Sequence, residues 1–234
     1  MTSLRTRSAE PEIMDDLDCH GEVVDQTLRE LEVINRLLGG DYVTVNGIEQ
    51  LISESNKKSF VIADCGCGGG DLAMKIVKWG RTNGVLLKVE GIDANPHIVN
   101  FAKKNCKNFV DITFEAMDVF SGEFRKRKYD ILTATLFVHH FDDDQLVKLF
   151  SSMRSQARLG VVINDIHRHY LSYHSIRWLT KFFSKSAMVR FDAPLSVRRA
   201  FKKREIVEIL KRAGIDSYSL KWRWAFRWQL VINS

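Results

Sequence analysis

Cysteine is scarce: four residues, at 19, 65, 67 and 106, are too few and too unevenly placed for a disulfide-stapled secreted scaffold. Proline is scarcer still, with three residues, while 45% of the chain is hydrophobic and 27% charged. That balance excludes a disordered, collagen-like or low-complexity polypeptide. No apolar run approaches the roughly 18 to 20 residues that span a bilayer. Met1 to Asp16 is polar and has no apolar stretch of the secretory kind. No internal repeat is visible. The expectation is a soluble protein of a reducing cytoplasm, with the 234 residues of one large domain or of a domain with a small appendage.

The charge is uneven. Lys and Arg number 35 against 29 Asp and Glu, a net of +6. From His167 to Arg204 there are ten basic residues and one acid, Asp192, which leaves 25 basic against 28 acidic elsewhere. The positive charge is local, and on its own it suits a nucleic acid, an anionic membrane or neither.

Along the chain, the first 16 residues read as a flexible arm. Val24, Leu28, Leu31, Ile34, Leu37 and Leu38 have helical spacing over Glu22 to Leu38, and Gly39-Gly40 ends the pattern. A short second helix is expected around Gly47 to Ser55. Phe60 to Ala63 is continuously apolar, as a strand buried on both faces should be. Helix and strand signals then alternate: a helix over Asp71 to Trp79, a strand from Leu86 to Ile92, and a helix capped by Asn95-Pro96 running to Asn105. Strands follow over Ile112 to Glu115 and Tyr129 to Val138. Asp142 with Gln145 resembles a capping box for a helix reaching about Ala157, and Leu159 to Asn164 is another apolar strand. Lys203 to Ala213 reads as a helix closed by Gly214. Two strands end the chain, Ile215 to Trp222 and Trp224 to Ile232, the latter with Trp224, Phe226, Trp228, Leu230 and Ile232 on one face. The alternation predicts an α/β fold, a mostly parallel sheet wrapped by helices, with a helical N-terminal extension.

Between the first strand and its helix stands Asp64-Cys65-Gly66-Cys67-Gly68-Gly69-Gly70. Glycines permit a tight turn and let backbone approach a ligand closely. Their spacing differs from the dinucleotide fingerprint, in which the third glycine comes three residues after the second. The next strand ends at Asp93, about twenty residues on, where a carboxylate can accept from both hydroxyls of a ribose. A second acid, Asp118, follows the next strand. Cys65 and Cys67 lack the C-x2-C spacing of a zinc site, and no metal is expected.

These residues resemble the class I S-adenosylmethionine-dependent methyltransferases. Asp64-x-Gly66-x-Gly68-x-Gly70 is similar to their first motif, Gly91-Ile92-Asp93-Ala94-Asn95-Pro96 to the second, and Ala116-Met117-Asp118 and Tyr129-Asp130-Ile131 to later ones. The resemblance is strong from Phe60 to Asn164 and looser over the final helix and strands. It implies a Rossmann-like seven-stranded sheet with an antiparallel C-terminal hairpin, and S-adenosylmethionine as cofactor. Residues 1–56 would form the arm and lid helices and 57–234 the cofactor-binding domain, with a helical lid insertion at 166–200. By the same resemblance Asp64, Cys65, Gly66, Gly68 and Gly70 face the methionine moiety, and Asp93 with Ala94 holds the ribose. Met117, Asp118 and Val119 flank the adenine, and Thr135 and Leu136 lie beside the sulfonium.

Methyl transfer is a displacement at an activated carbon, helped by positioning and, for an oxygen acceptor, by a base. His139-His140 ends the fourth strand, and Asn164-Asp165-Ile166-His167 follows the fifth. Paired histidines with an aspartate at the second edge resemble natural-product sugar O-methyltransferases of the family. By that resemblance His140 is the favoured base, with Asp165 orienting it or the substrate, His139 the alternate and His167 the next choice; a packing role for these residues, with no base needed, is the other reading.

His169 to Ala200 is longer than a simple strand-to-helix connection. It carries Tyr170, Tyr173, Trp178, Phe182, Phe183, Met188 and Phe191 among basic residues, and Trp178, Leu179, Phe182 and Phe183 have helical spacing. A substrate lid is the leading expectation, followed by dimer or core packing, which leaves the chain a monomer or homodimer; peripheral membrane contact and nucleic acid come last. Nucleic-acid base methylation is not expected, because Thr135-Leu136-Phe137-Val138 stands where an Asn-Pro-Pro-aromatic motif would. The expected function is O-methylation of a small apolar phenolic or polyketide-like acceptor. C-methylation of a quinone precursor and a non-catalytic cofactor-binding partner are the alternatives.

Overall fold

The computed structural model describes residues 4–234. Strand β1 (Ser59–Cys65) shows why a sheet covered on both sides forms here. Phe60 and Ile62 enter one core and Ala63 and Cys65 the other, all of them fully buried. One helical layer holds α2 (Gly40–Ser53), α3 (Asp71–Thr82) and α4 (Pro96–Asn105). The opposite layer holds α5 (Gly122–Lys126), α6 (Asp143–Gln156) and α9 (Lys203–Arg212). With β2 (Leu86–Asp93), β3 (Ile112–Ala116), β4 (Tyr129–Thr135), β5 (Ala157–Ile166), β6 (Tyr218–Arg223) and β7 (Arg227–Asn233), the sheet has seven strands in the order β3-β2-β1-β4-β5-β7-β6. The first five pair in parallel; β7 runs antiparallel to both β5 and β6.

The insertion after β5 is two helices, α7 (Tyr170–Phe183) and α8 (Ala187–Arg199). They meet α1 (Glu22–Leu37) above the sheet edge, where Val24 and Leu28 pack with Ile98 and Met188. Thr27 Oγ1 lies 2.8 Å from Ser186 Oγ, and Glu30 accepts from the backbone N–H of Lys185 at 3.1 Å. Lid and N-terminal extension thus form one cover.

Several boundaries differ from the sequence expectation. Helix α2 starts at Gly40, seven residues before the expected Gly47, because its glycines are approach points rather than breakers: a Cβ on Gly47 would sit 2.5 Å from Val162 of β5. Strand β4 stops at Thr135, since Leu136 has φ +52°, and residues 138–140 form a tight 3-10 turn. His139 and His140 therefore sit on that turn and not on a strand end. Helix α5 is absent from the sequence reading. In the last strand only Trp228, Leu230 and Ile232 share the core face, whereas Trp224 and Phe226 lie in the β6–β7 turn.

The arm is the largest correction. Residues 4–16, expected to be flexible, are docked. The Ser8 N–H donates to Arg198 O at 3.0 Å, and the Ile13 N–H donates to Asp192 at 2.8 Å. The Arg7 guanidinium donates to the carbonyls of Phe141 and Arg199 and pairs with Asp143.

Candidate functional site

The turn after β1 is held by two backbone bonds, from Gly66 N–H and Cys67 N–H to the Ile92 carbonyl at 2.8 and 3.1 Å. Gly66 has φ +71°, and a Cβ there would fall 2.2 Å from the Phe137 ring, so only glycine fits. Asp64 is buried; Thr133 Oγ1 donates to its Oδ1 at 2.9 Å, while Oδ2 has no partner among the described residues. Burial pushes its carboxyl up to about 7. At the end of β2, Asp93 Oδ1 accepts from the Asn95 N–H at 3.0 Å and Oδ2 from the Gly68 N–H at 3.4 Å. Burial raises this carboxyl too. Asn95 in turn caps α4, accepting from the His97 N–H at 2.8 Å.

These residues border a cavity of about 860 Å³ between the C-terminal strand edge, the arm and the lid. Of the expected cofactor residues, Asp64, Gly66, Gly68, Asp93, Ala94, Met117, Asp118, Val119, Thr135 and Leu136 line it. Cys65 and Gly70 do not. The Cys65 side chain enters the core, and Gly70, at φ +79°, opens α3 where a Cβ would strike Phe114 and Cys106. Asp118 Oδ1 accepts from the Phe120 N–H at 2.8 Å, which fixes the loop after β3. Leu136 holds its left-handed conformation while its N–H donates to Asn164 O at 2.9 Å. Cys65 and Cys67 are buried thiols whose ionisation burial disfavours.

The histidines divide differently from the expected pairing. Asp165 is bonded to His139, not His140: Nδ1 of His139 lies 2.8 Å from Asp165 Oδ1, and the His139 N–H donates to Oδ2 at 3.2 Å. The Ile166 N–H also donates to Asp165, at 2.6 Å. Burial alone would raise the Asp165 carboxyl, but His139 and these hydrogen bonds outweigh it and hold it below the ordinary value. His140 Nδ1 instead lies 2.5 Å from Asp15 Oδ1, and Arg199 closes on the other oxygen of Asp15. Burial again opposes this pair, and the bonds from His140 and Arg199 prevail, so Asp15 is held low. His139 and His140 both line the cavity; Asp165 does not, and acts only through His139. His167 is outside it, its ring against Trp228 at 4.9 Å and against His169 at 5.4 Å.

The most consequential residue missed in the sequence is Glu12. Its Oε1 lies 3.6 Å from His139 Nε2, and both atoms are buried with no hydrogen-bond partner among the described residues. Burial pushes the Glu12 carboxyl up to about 7. Nothing in the local pattern of a polar arm places Glu12 or Asp15 in the site, because the partners that do so, His139, His140, Ser196 and Arg199, are more than a hundred residues away. Arg227 is a further omission: it is buried, lines the cavity and donates to Asn35 Oδ1 at 2.8 Å, while its Nε and Nη1 have no partner among the described residues.

Residues 62–160 match the model of the methyltransferase domain family. No curated protein matches the sequence. Among solved structures, human N-acetylserotonin methyltransferase is similar with a TM-score of 0.64 and 16% identity, over 90% of this chain and 55% of that one. The chain thus spans little more than half of that relative. The plantazolicin methyltransferase BpumL is similar with a TM-score of 0.66 and 14% identity, over 89% of this chain and 90% of that one. Magnesium protoporphyrin IX methyltransferase from Synechocystis PCC 6803 has a TM-score of 0.54 and 20% identity, over 83% and 84%. Residues 62–160 are thus similar to the methyltransferase domain family, and the strand order, with the glycine turn facing Asp93, gives the chain the fold of these solved methyltransferases.

Proposed function

We propose that the protein transfers the methyl group of S-adenosylmethionine to an oxygen of a small, largely apolar acceptor. The observation that carries this reading is one cavity holding two sets of groups: Asp64, Gly66, Gly68 and Asp93 at one part, His139 backed by Asp165 at another. The residues present fit the cofactor. Asp64 Oδ2 is an orphaned acceptor at the glycine turn, suited to an ammonium, and the Asp93 carboxylate at the end of β2 suits ribose hydroxyls. Met117 and Val119 offer apolar contact to a base. When bound, S-adenosylmethionine supplies a methyl group already activated on a sulfonium.

The chain's own residues then have two tasks. The arm and lid, through Leu17, Leu31, Ile176, Leu179 and Val197, wall the rest of the cavity and exclude water. The His139 centre removes the acceptor's proton. With Asp165 ionised and hydrogen-bonded to Nδ1, the neutral ring carries its proton on Nδ1 and its lone pair on Nε2. A phenol with a pKa near 10 is mostly neutral at pH 7 and gains reactivity when that proton leaves. The names of the similar structures, which include methyltransferases of N-acetylserotonin and plantazolicin, support a small-molecule acceptor.

The test is a labelled-methyl transfer screen over phenols, polyketide-like phenolics, quinone precursors and RNA, with the methylated atom located by mass spectrometry. An O-methyl product whose formation depends on His139 supports the proposal. A C-methyl product, methylated RNA, or tight cofactor binding with no transfer to any acceptor overturns it, the last in favour of a binding partner without turnover.

A further inference from the structure

Three side chains with metal-ligating atoms converge where the arm meets the turn after β4. Glu12 Oε1, His139 Nε2 and a ring nitrogen of His140 lie within 4.8 Å of one another. Glu12 and His139 side chains are 4% and 2% exposed, and the two atoms that face each other have no donor between them among the described residues. Buried lone pairs aimed at each other repel and lack hydration, so such an arrangement calls for a proton or a cation between them.

The surroundings point to a cation rather than a further donor from the protein. Each imidazole is anchored through Nδ1 by a carboxylate, His139 by Asp165 at 2.8 Å and His140 by Asp15 at 2.5 Å. This is the carboxylate–histidine arrangement that fixes a ring's tautomer, leaves Nε2 as the basic nitrogen and raises its basicity toward a metal. Glu12 Oε2 is held by Ser196 Oγ at 2.9 Å, which leaves Oε1 facing His139. Neighbouring cations are already engaged. Arg199 bonds Asp15 and the carbonyl of His140, and Arg7 bonds Asp143 and the Phe141 carbonyl. Arg199 Nε is 3.9 Å from Glu12 Oε1, a distance too long for a hydrogen bond. Glu12, Asp15, Asp165 and Asp192 gather around the two rings, so the carboxylates outnumber these two guanidiniums.

We propose that Glu12, His139 and His140 form a binding site for a divalent first-row transition cation. Two imidazoles and one carboxylate make up the donor set of such ions, with bonds of about 2.0–2.2 Å that place neighbouring ligand atoms roughly 3–3.5 Å apart. The Glu12–His139 separation of 3.6 Å already approaches that spacing. All three residues line the cavity, which places the proposed ion at its wall. The inference rests on the O-methylation reading for its purpose: a hydroxyl brought to the ion is polarised and releases its proton to solvent more readily. With the ion bound, His139 activates the acceptor as a ligand of that ion and not as the base itself, and the arm supplies the anionic ligand.

The experiment uses the full chain, stripped with chelator and dialysed. Zn2+ is titrated calorimetrically, Co2+ is followed by its visible absorption, and S-adenosylmethionine binding is measured by thermal shift on the same preparations. The expected result is one equivalent of Zn2+ and a Co2+ spectrum of nitrogen–oxygen ligation, with affinity at least about tenfold weaker in both Glu12→Gln and His140→Ala. Glu12→Gln keeps the side-chain shape, and the cofactor thermal shift reports whether each variant is folded. Absence of stoichiometric binding, or equal affinity in wild type and both variants (an adventitious ion only), overturns the site. S-adenosylmethionine binding without Zn2+ binding removes this inference alone; Zn2+ binding without S-adenosylmethionine binding removes the methyl-transfer reading and leaves the ion site standing.

Discussion

Nδ1 of His139 lies 2.8 Å from Oδ1 of Asp165, with each side chain only 2% exposed. The pair joins the turn after β4 to the end of β5, so the ring's orientation is set by that turn against the neighbouring strand. Removing the ring removes the acceptor-activating lone pair. His139→Ala is expected to lower the methyl-transfer rate by about 10²–10⁴ while S-adenosylmethionine affinity stays unchanged, because Asp93 and the glycine turn are untouched. Asp165→Asn is expected to lower the rate in the same direction by misorienting the ring. Steady-state rates beside equilibrium cofactor titration check both, and a full rate in either variant contradicts the assignment.

Asp93 is the corresponding test of the cofactor end. Ligand bound only by the folded state stabilises by about 2.7 kcal/mol at a concentration one hundred times its Kd. Asp93→Ala is expected to lose most of the thermal shift produced by S-adenosylmethionine. An undiminished shift places the nucleoside elsewhere.

Glu12 makes stability depend on pH. Burial lifts its carboxyl from 4.5 to about 7 in the folded protein. A folded-state value above the unfolded one means that its contribution is fully present below about pH 4.5 and is lost as pH rises to about 7. The loss is on the order of 3 kcal/mol. In chelator, the melting temperature of Glu12→Gln is therefore expected to overtake that of wild type across this window. Denaturation curves from pH 4 to 8 check it; parallel profiles for the two proteins contradict it.

Gly66→Ala is expected to destabilise through two separate causes. A left-handed backbone at φ +71° costs a non-glycine residue about 1–2 kcal/mol, and the new Cβ collides with Phe137. Pairing it with Phe137→Ala is expected to remove the collision and leave the backbone strain, a non-additivity that a double-mutant cycle measures directly.

The outer face of α7 carries Trp178, Phe182 and Phe183 at 63%, 60% and 81% exposure, near Lys181 and Lys185. The inner face gives Ser172, Ser175, Ile176 and Leu179 to the cavity. An apolar rim with basic neighbours complements an anionic bilayer. Co-sedimentation with vesicles containing phosphatidylglycerol is expected, weakened by salt and by Phe183→Ser with Lys185→Glu. Equal recovery of wild type and variant in the supernatant contradicts it.

The local signals were legible. The apolar run at Phe60, the glycine turn, Asp93, and the Asn95 and Asp142 caps all depend on neighbours a few residues away, and each lies where its pattern predicts. Of the histidines named from the sequence, His139 and His140 line the cavity and His167 does not. The partners of His139 and His140 were not legible, because the choice between them is tertiary. Asp165 could serve either ring on sequence grounds, and only the turn after Leu136 aims His139 at it. The arm was illegible for the same reason: a polar stretch with one charged group per few residues reads as solvated until Arg199, Asp192 and the two rings are set beside it. Gly40 and Gly47 misled in the opposite sense, since close packing and helix termination use the same residue.

The docking of the arm also orders events during synthesis. Glu10 bonds Arg199, 189 positions later, and Ser196 reaches back 184 positions to Glu12. At about 5–20 residues per second, the segment that completes the histidine cluster waits on the order of ten seconds or more for its dock to be translated. Strands β1 to β5 precede that dock in the chain, so they and the glycine turn are translated before the acceptor side can close, whereas β6 and β7 follow it.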